Sequence, residues 1–282
     1  MDLKSIILAG MILGLLPGAC APARTPEPTP GAPADLTWER IQSAGKMIVG
    51  TAGDYPPFEY YNDQFRLDGF DVALIQAIGQ KLGLRVELND FAFDGLGGAL
   101  TIGQVDAAIA AISVTDERQV VIDFSSVYYV GAGAALAKEG SGIAPLSSIA
   151  QLTQYRVGVQ EGSAYQADLQ RVVAAGAMPA GNVHAYAKAD EGVAGLRQGA
   201  VDLFVLDEAA ASEFVTQGGV EIAGQAVSQQ RYAIAIPQGA VTLQAELNRA
   251  LVELDNDGTL ALLTDQYLGP HSGASPPPPP EA

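Results

Sequence analysis

The sequence predicts an α/β fold in two similar lobes, and three observations predict it. Short strand-like apolar runs alternate with helix-like stretches whose apolar residues recur at three and four residue spacing. The pattern L-x-x-G-x-V-D occurs once in each half, as Leu100-Thr-Ile-Gly103-Gln-Val-Asp106 and as Leu196-Arg-Gln-Gly199-Ala-Val-Asp202, each reading as a helix end running into a buried strand. Glycine is common in αβ turns, so this echo gains its weight from the alternation around it. Pro-rich segments bracket the whole pattern, and the 282-residue chain is 48% hydrophobic, enough for two lobes or one large domain.

The chain starts with a short charged segment containing Lys4, then the apolar run Ile6 to Leu16, then Pro17-Gly-Ala-Cys20. A bilayer span needs about 20 apolar residues, so this run reads as the core of an export signal over 1–19. Small residues directly before a lone cysteine resemble the lipobox of bacterial lipoproteins, where cleavage leaves the cysteine as a lipidated N-terminus. Leu16 stands four residues before Cys20 where the usual leucine stands three before, and Pro17 occupies that place. Ordinary signal cleavage with loss of Cys20 is the alternative. Because Cys20 is the only cysteine, it has no internal disulfide partner, which favours the anchor. Residues 20–44 then read as a lipid-anchored tether, Pro-rich over "APARTPEPTPGAPADLT" and therefore extended and semi-rigid, and the tail 270–282 reads the same way.

Within the body, Met47-Ile-Val49 is a strand. A helix follows from Asp71, carrying Leu74, Ile75, Ile78 and Leu82, and then Val86 and Leu88 alternate. Val105 to Ile112 is a continuous apolar run of the kind a fully buried strand shows, which places Ser113 to Arg118 at the strand's mouth. After residue 145, Arg156 to Val159 is a strand, and Ser163 caps a helix carrying Leu169, Val172 and Val173. Asp190 caps another helix that ends at Gly199, ahead of the buried strand Val201 to Leu206. Tyr232 to Ile236 is a strand, followed by a helix with Leu243, Leu247, Leu251 and Leu254, a break at Asp257-Gly258, and a last helix to about Tyr267. The formal charge is −17, from 32 acidic and 15 scattered basic residues, so the clustered positive face that nucleic acid requires is missing.

Five segments carry a family resemblance: "DYPPFEYYNDQFRLDGFDVALIQAIGQKLG", "FDGLGGALTIGQVDAAIAAISVTDERQVVIDFSSVYY", "VGVQEGS", "LRQGAVDLFVLDEAAAS" and "YAIAIPQG". In this order, from about residue 45 to 269, they resemble the bacterial extracellular solute-binding proteins of family 3, the periplasmic amino-acid-binding components of ABC importers. Where the family's entry motif ends in an acid, this chain has Ala73 in Gly69-Phe-Asp-Val-Ala73. The resemblance implies a two-lobed type II periplasmic-binding-protein fold with a ligand cleft between lobes and two crossover strands. Lobe one is expected over 45–132 and 232–269, and lobe two over 133–231. It also implies a free amino acid as ligand, an ABC permease in the membrane as partner, no cofactor or metal, and a monomer.

The chemistry of an amino acid assigns the site. Arg118 taken alone reads as a surface arginine paired with Asp116, Glu117 or Asp123, but at the mouth of a cleft its planar two-pronged donor suits a carboxylate. The turn Gly162-Ser163 precedes a helix, so its backbone N–H groups and the helix dipole offer a second carboxylate contact, alongside a plain capping role for Ser163. Ser113 adds a hydroxyl or backbone contact. The family's acid for the ammonium falls on Asp207, whose plainer reading is a cap for the helix from Glu208. Tyr55 and Phe93 match the family's flanking aromatics. Ala52 stands where binders of cationic amino acids carry an aspartate, and Ala110, Ala111 and Ala164 stand where several relatives place hydroxyls. With Gln160 and Glu161 left to address a polar side chain, the expected ligand is glutamine or another polar neutral amino acid. Two other classes stay open: a cyclohexadienyl dehydratase-like enzyme on the same fold, with Glu161 as its acid or base, and a sensor that reports to a membrane receptor. His184 and His271 are isolated, with no catalytic motif or metal-spaced cluster around them.

Overall fold

A computed structural model describes residues 36–269. The export signal, Cys20, the Pro-rich tether as far as residue 35 and the tail from residue 270 lie outside the described residues. The end of the expected tether is instead a helix, α1 (Thr37–Ala44). Its Ile41 is fully buried, Trp38 packs on the same core, and Arg40 pairs with Asp106, so this short segment is fixed by tertiary contacts once the prolines end.

The first lobe continues with β1 (Lys46–Thr51), a small antiparallel sheet of β2 (Asp54–Tyr55), β3 (Glu59–Tyr61) and β4 (Leu67–Asp68), then α2 (Phe70–Leu82) and β5 (Arg85–Asp90). After these come α3 (Leu96–Thr101), β6 (Ala107–Ala108), the single turn α4 (Asp116–Gln119) and the long strand β7 (Ile122–Lys138). The second lobe holds β8 (Val157–Gln160), α5 (Ala164–Ala174), β9 (Val183–Tyr186), α6 (Ala189–Gln198), β10 (Leu203–Asp207), α7 (Glu208–Thr216) and β11 (Val220–Gly224). Strand β12 (Gln229–Pro237) returns the chain, and α8 (Val241–Asn256) and α9 (Thr259–Leu268) close on the first lobe.

Strand β7 joins the two halves of one nine-stranded sheet, in the order β5-β1-β6-β12-β7-β10-β8-β9 with β11 also on β7. Its residues from Ile122 to Ala132 pair with β12, and from Gly133 onward it pairs with β10 on one side and, from Ala135, with β11 on the other. The ladder between β7 and β12 shifts register at Tyr232/Ala233, beside this change of partner, and such bulges re-aim a strand where its pairing changes. On either side the arrangement repeats: β1 lies parallel between β5 and β6, and β8 lies parallel between β9 and β10.

The repeated L-x-x-G-x-V-D pattern does the same job twice. Gly103 and Gly199 follow their helices with φ of 71° and 79°, a left-handed conformation that glycine adopts without strain. Asp106 Oδ2 then accepts from the Ile48 backbone N–H at 2.8 Å, and Asp202 Oδ2 accepts from the Arg156 N–H at 2.9 Å. In each lobe the aspartate ties the incoming strand to the edge of the one beside it.

Two expectations need correction. Val105 to Ile112 is buried throughout, but only Ala107–Ala108 forms a strand. The backbone turns at Ala111, whose φ is 44°, and Asp71 Oδ2 holds the turn by accepting from the Ala111 N–H at 2.6 Å and from the Tyr128 hydroxyl at 2.8 Å. An internal acceptor therefore takes a donor that a longer ladder would have used. At α6 the N-cap is Lys188 rather than Asp190, and Asp190 sits in the first turn. The cap is supplied from the other lobe, where Asp54 Oδ2 accepts from the Ala189 N–H at 3.0 Å.

Candidate functional site

The two lobes meet around a narrow cleft. From the first lobe it is lined by Tyr55, Phe93, Ala110, Ala111 and Ser113, and from the second by Gln160, Ser163, Ala164, Tyr165 and Asp207, with Tyr232 on the returning strand. Five of the seven expected contact residues lie on this wall. Gly162 and Arg118 stand beside it.

Arg118 does not form the surface ion pair of the plainer reading. Its Nη1 donates to the Ser113 carbonyl at 2.6 Å, its Nη2 donates to the Gly162 carbonyl at 2.9 Å, and its guanidinium lies 5.5 Å from the Phe93 ring centroid. Ser113 and Phe93 both line the cleft, so the cation is held at its rim between a carbonyl from each lobe. Burial lowers its pKa to about 10, which leaves it charged at neutral pH. Glu117, its neighbour on α4, instead pairs with Arg171 of the second lobe at 2.9 Å.

On the opposite wall, Asp207 ends β10 and is almost fully buried. It occupies the N-cap position of α7 but makes no side-chain cap, because its Oδ2 accepts from the hydroxyl of Tyr55 at 3.0 Å and from that of Tyr232. Tyr55 also accepts from the Asp207 backbone N–H at 2.9 Å, giving a two-way bond from lobe to lobe. Among the described residues, Asp207 Oδ1 and the Tyr165 hydroxyl are buried without a hydrogen-bond partner. Desolvation pushes the Asp207 carboxyl up to about 6, against the hydroxyls of Tyr232, Tyr55 and the nearby Tyr165, which hold it down. An unpaired buried oxygen on an acid that still ionises near neutrality is a strong acceptor for a cation. Room for this cluster comes from Gly131 and Gly133, where an added Cβ would lie 2.5 Å from Asp207 Oδ1 and 2.8 Å from Tyr165.

The turn Gly162-Ser163 is placed as expected, but its N–H groups are engaged. Gly162 N–H donates to Gln166 Oε1 at 2.8 Å, and Ser163 N–H donates to the Gln160 carbonyl at 3.2 Å. Ser163 Oγ caps α5 by accepting from the Gln166 N–H at 3.2 Å. The capping role is therefore present in this arrangement.

Sequence reasoning missed Tyr165 and Tyr232, and with them the nature of the acid's surroundings. Tyr232 reads as an ordinary strand aromatic, since nothing local shows that β12 passes the end of β10. Asp54 carries a visible signal in the sequence, an acid next to the cleft aromatic Tyr55.

A family model describing bacterial extracellular solute-binding proteins, family 3, matches residues 47–270. The chain belongs to this family. Among family relatives, the L-cystine-binding protein TcyJ of Escherichia coli (strain K12) is 29% identical over 82% of this chain and 85% of its own length. Two solved structures, of an ancestral arginine-binding protein bound to arginine and to glutamine, are each 34% identical, with TM-scores of 0.74 and 0.73. Each covers 80% of this chain and 99% of that one. The family's two-lobed type II fold is the one described above, with the cleft at its centre.

Proposed function

We propose that this chain is the extracytoplasmic substrate-binding component of an ABC importer, that it captures a free polar amino acid as its lobes close, and that it is not an enzyme. The observation that carries the reading is the pairing of opposite charges across one cleft: a guanidinium at the rim from the first lobe and a buried carboxylate from the second. A zwitterion needs both partners, and Tyr55, Phe93 and Ser113 supply the wall between them. In the ligand complex Arg118 turns its forked donor from the Gly162 carbonyl to the ligand carboxylate, and Asp207 Oδ1 takes the ammonium. The division of the lobes falls at the change of partner on β7, between Ala132 and Gly133, and again near Tyr232. Relatives named for arginine and cystine binding support an amino acid as ligand. Ala52 and the lack of a second acid on the lining favour a neutral side chain.

Calorimetric titration with a panel of free amino acids tests this, together with small-angle scattering. One or a few amino acids should bind and reduce the radius of gyration, because a ligand that touches both lobes stabilises the closed arrangement. Binding of none of them, or an unchanged scattering profile at saturation, counts against it. For location, we propose a lipid anchor at Cys20. Expression of Cys20→Ala in a lipoprotein-processing host should release the protein from the membrane fraction. An equally soluble wild type whose mature mass excludes Cys20 rules the anchor out.

A further inference from the structure

Asp54 begins β2 in the first lobe, yet its side chain serves the second. Its Oδ2 accepts from the Gln160 side-chain Nε2 at 3.0 Å and from the Ala189 N–H at 3.0 Å. Lys188, the N-cap of α6, makes no side-chain cap of its own, so the foreign carboxylate completes that helix end. Burial pushes Asp54 up to about 6, which still leaves it ionised at neutral pH.

An ionised carboxylate has acceptors only, so the end of the Gln160 carboxamide that faces it is the NH2 group. The same chemistry fixes the direction of the amide. Gln160 is buried and lines the cleft, and its carbonyl Oε1, at the other end of the same planar group, makes no hydrogen bond among the described residues. The cleft it lines includes Ala110, Ala111, Ala164 and Phe93, and no cationic side chain is part of that lining. A ligand side chain there meets one oriented acceptor with an anion behind it.

We infer that Asp54 is a positioning residue that fixes the Gln160 carboxamide with its carbonyl toward the ligand, so that the cleft selects an amino acid whose side chain donates hydrogen bonds, such as a carboxamide, over its acidic counterpart. This rests on the amino-acid-binding reading above. An acidic side chain would place its oxygens against the Gln160 carbonyl, with no cation to answer them once Arg118 holds the α-carboxylate. The contact bridges the lobes, so the selector is assembled only as they close.

The test is calorimetric titration of the full chain and two variants with glutamine, glutamate, asparagine and aspartate. In the wild type, the amide of one pair should bind at least about a hundredfold tighter than its acid, since a site built to pair a polar group strongly rejects the analogue that cannot pair. Gln160→Leu should remove most of that ratio. Asp54→Asn should lower it by about tenfold, because an asparagine can accept or donate and so permits the Gln160 amide to turn over. If either variant weakens amide and acid equally and keeps the ratio, the contact only holds the lobes together and the inference fails. It fails too if the wild type prefers the acid, or if other amino acids bind while neither pair does. Binding of no amino acid at all overturns the underlying reading as well.

Discussion

In the function proposed above, Arg118 serves two states. In the structure it satisfies a carbonyl from each lobe, and neither bond neutralises its charge. Arg118→Ala would leave a ligand carboxylate desolvated and unpaired, a situation that costs on the order of 2 to 5 kcal/mol. Affinity should therefore fall roughly thirty-fold to several thousand-fold, and Arg118→Lys should recover only part of it, because an ammonium keeps the charge but loses the fork. Near-normal calorimetric affinity in Arg118→Ala would remove it from the site. Asp207 gives a second prediction, through Tyr232. The ammonium needs the ionised acid, so affinity should fall as pH drops through about 6, where the ligand-free carboxyl takes up its proton. Tyr232→Phe deletes one hydroxyl that holds the carboxyl down, so the decline should begin at a higher pH. Titrations between pH 5 and 8 read that shift, and an unmoved profile would deny the coupling. The placement of Arg118 and Asp207 near the cleft follows from the buried runs Val105 to Ile112 and Val201 to Leu206 that precede them, while the ligand roles proposed for them rest on the family resemblance. Tyr165, Tyr232 and Asp54 were not legible in the sequence, since their roles arise from elements far apart in the chain: Tyr55 reaches Asp207 across 152 positions, and Gln160 reaches Asp54 across 106.

At the scale of elements, strands and helices were legible wherever local periodicity coincided with the final packing, as in α8 with its buried Leu243, Leu247, Leu251 and Leu254. The segment Val105 to Ile112 shows why burial does not imply a ladder. Its apolar run foretold the interior correctly, but the turn at Ala111 depends on Asp71, which lies forty positions away. The repeated aspartates extend the same lesson, because both copies were visible and their shared task was not. They also differ in setting: the Asp106 side chain is 3% exposed and that of Asp202 is 34% exposed. Removing a buried acceptor leaves the Ile48 N–H unpaired away from water, at a cost of about 1 to 3 kcal/mol. At Asp202, water can replace much of what is lost. Asp106→Ala should accordingly destabilise the protein more than Asp202→Ala in chemical denaturation, and equal losses would mean that burial does not separate the two copies.

Over the whole molecule, acidity and burial act together on stability. Desolvation pushes Asp54 and Asp207 up to about 6 and Asp71 to about 7, and raises the buried Glu59 well above the usual carboxylate range. A carboxyl whose folded-state pKa lies above its unfolded value contributes stability that is fully present below the unfolded value and is lost as pH rises through the folded one. For Asp54, Asp71 and Asp207 that loss runs from about pH 4 to about pH 7. Self-repulsion from a formal charge of −17 works in the same direction. The opposite set is smaller and lies at the surface. Hydrogen bonds from Lys46, Arg156 and Lys81 hold Glu87, Asp202 and Asp257 low, Asp257 to about 2, and their contribution disappears only as pH falls below the ordinary carboxylate range. The ligand-free protein should therefore melt highest near pH 4 and lose stability toward pH 8, with each 1 kcal/mol moving the midpoint by about 2 to 4 °C. Asp71→Asn isolates the buried acids from the general charge, since its carboxamide oxygen can still accept from Ala111 and Tyr128 as the carboxyl does, without ever ionising. That variant should melt closer to wild type at pH 5 than at pH 8, where it should be the more stable of the two. A parallel pair of melting curves across this range would instead assign the whole pH dependence to surface charge.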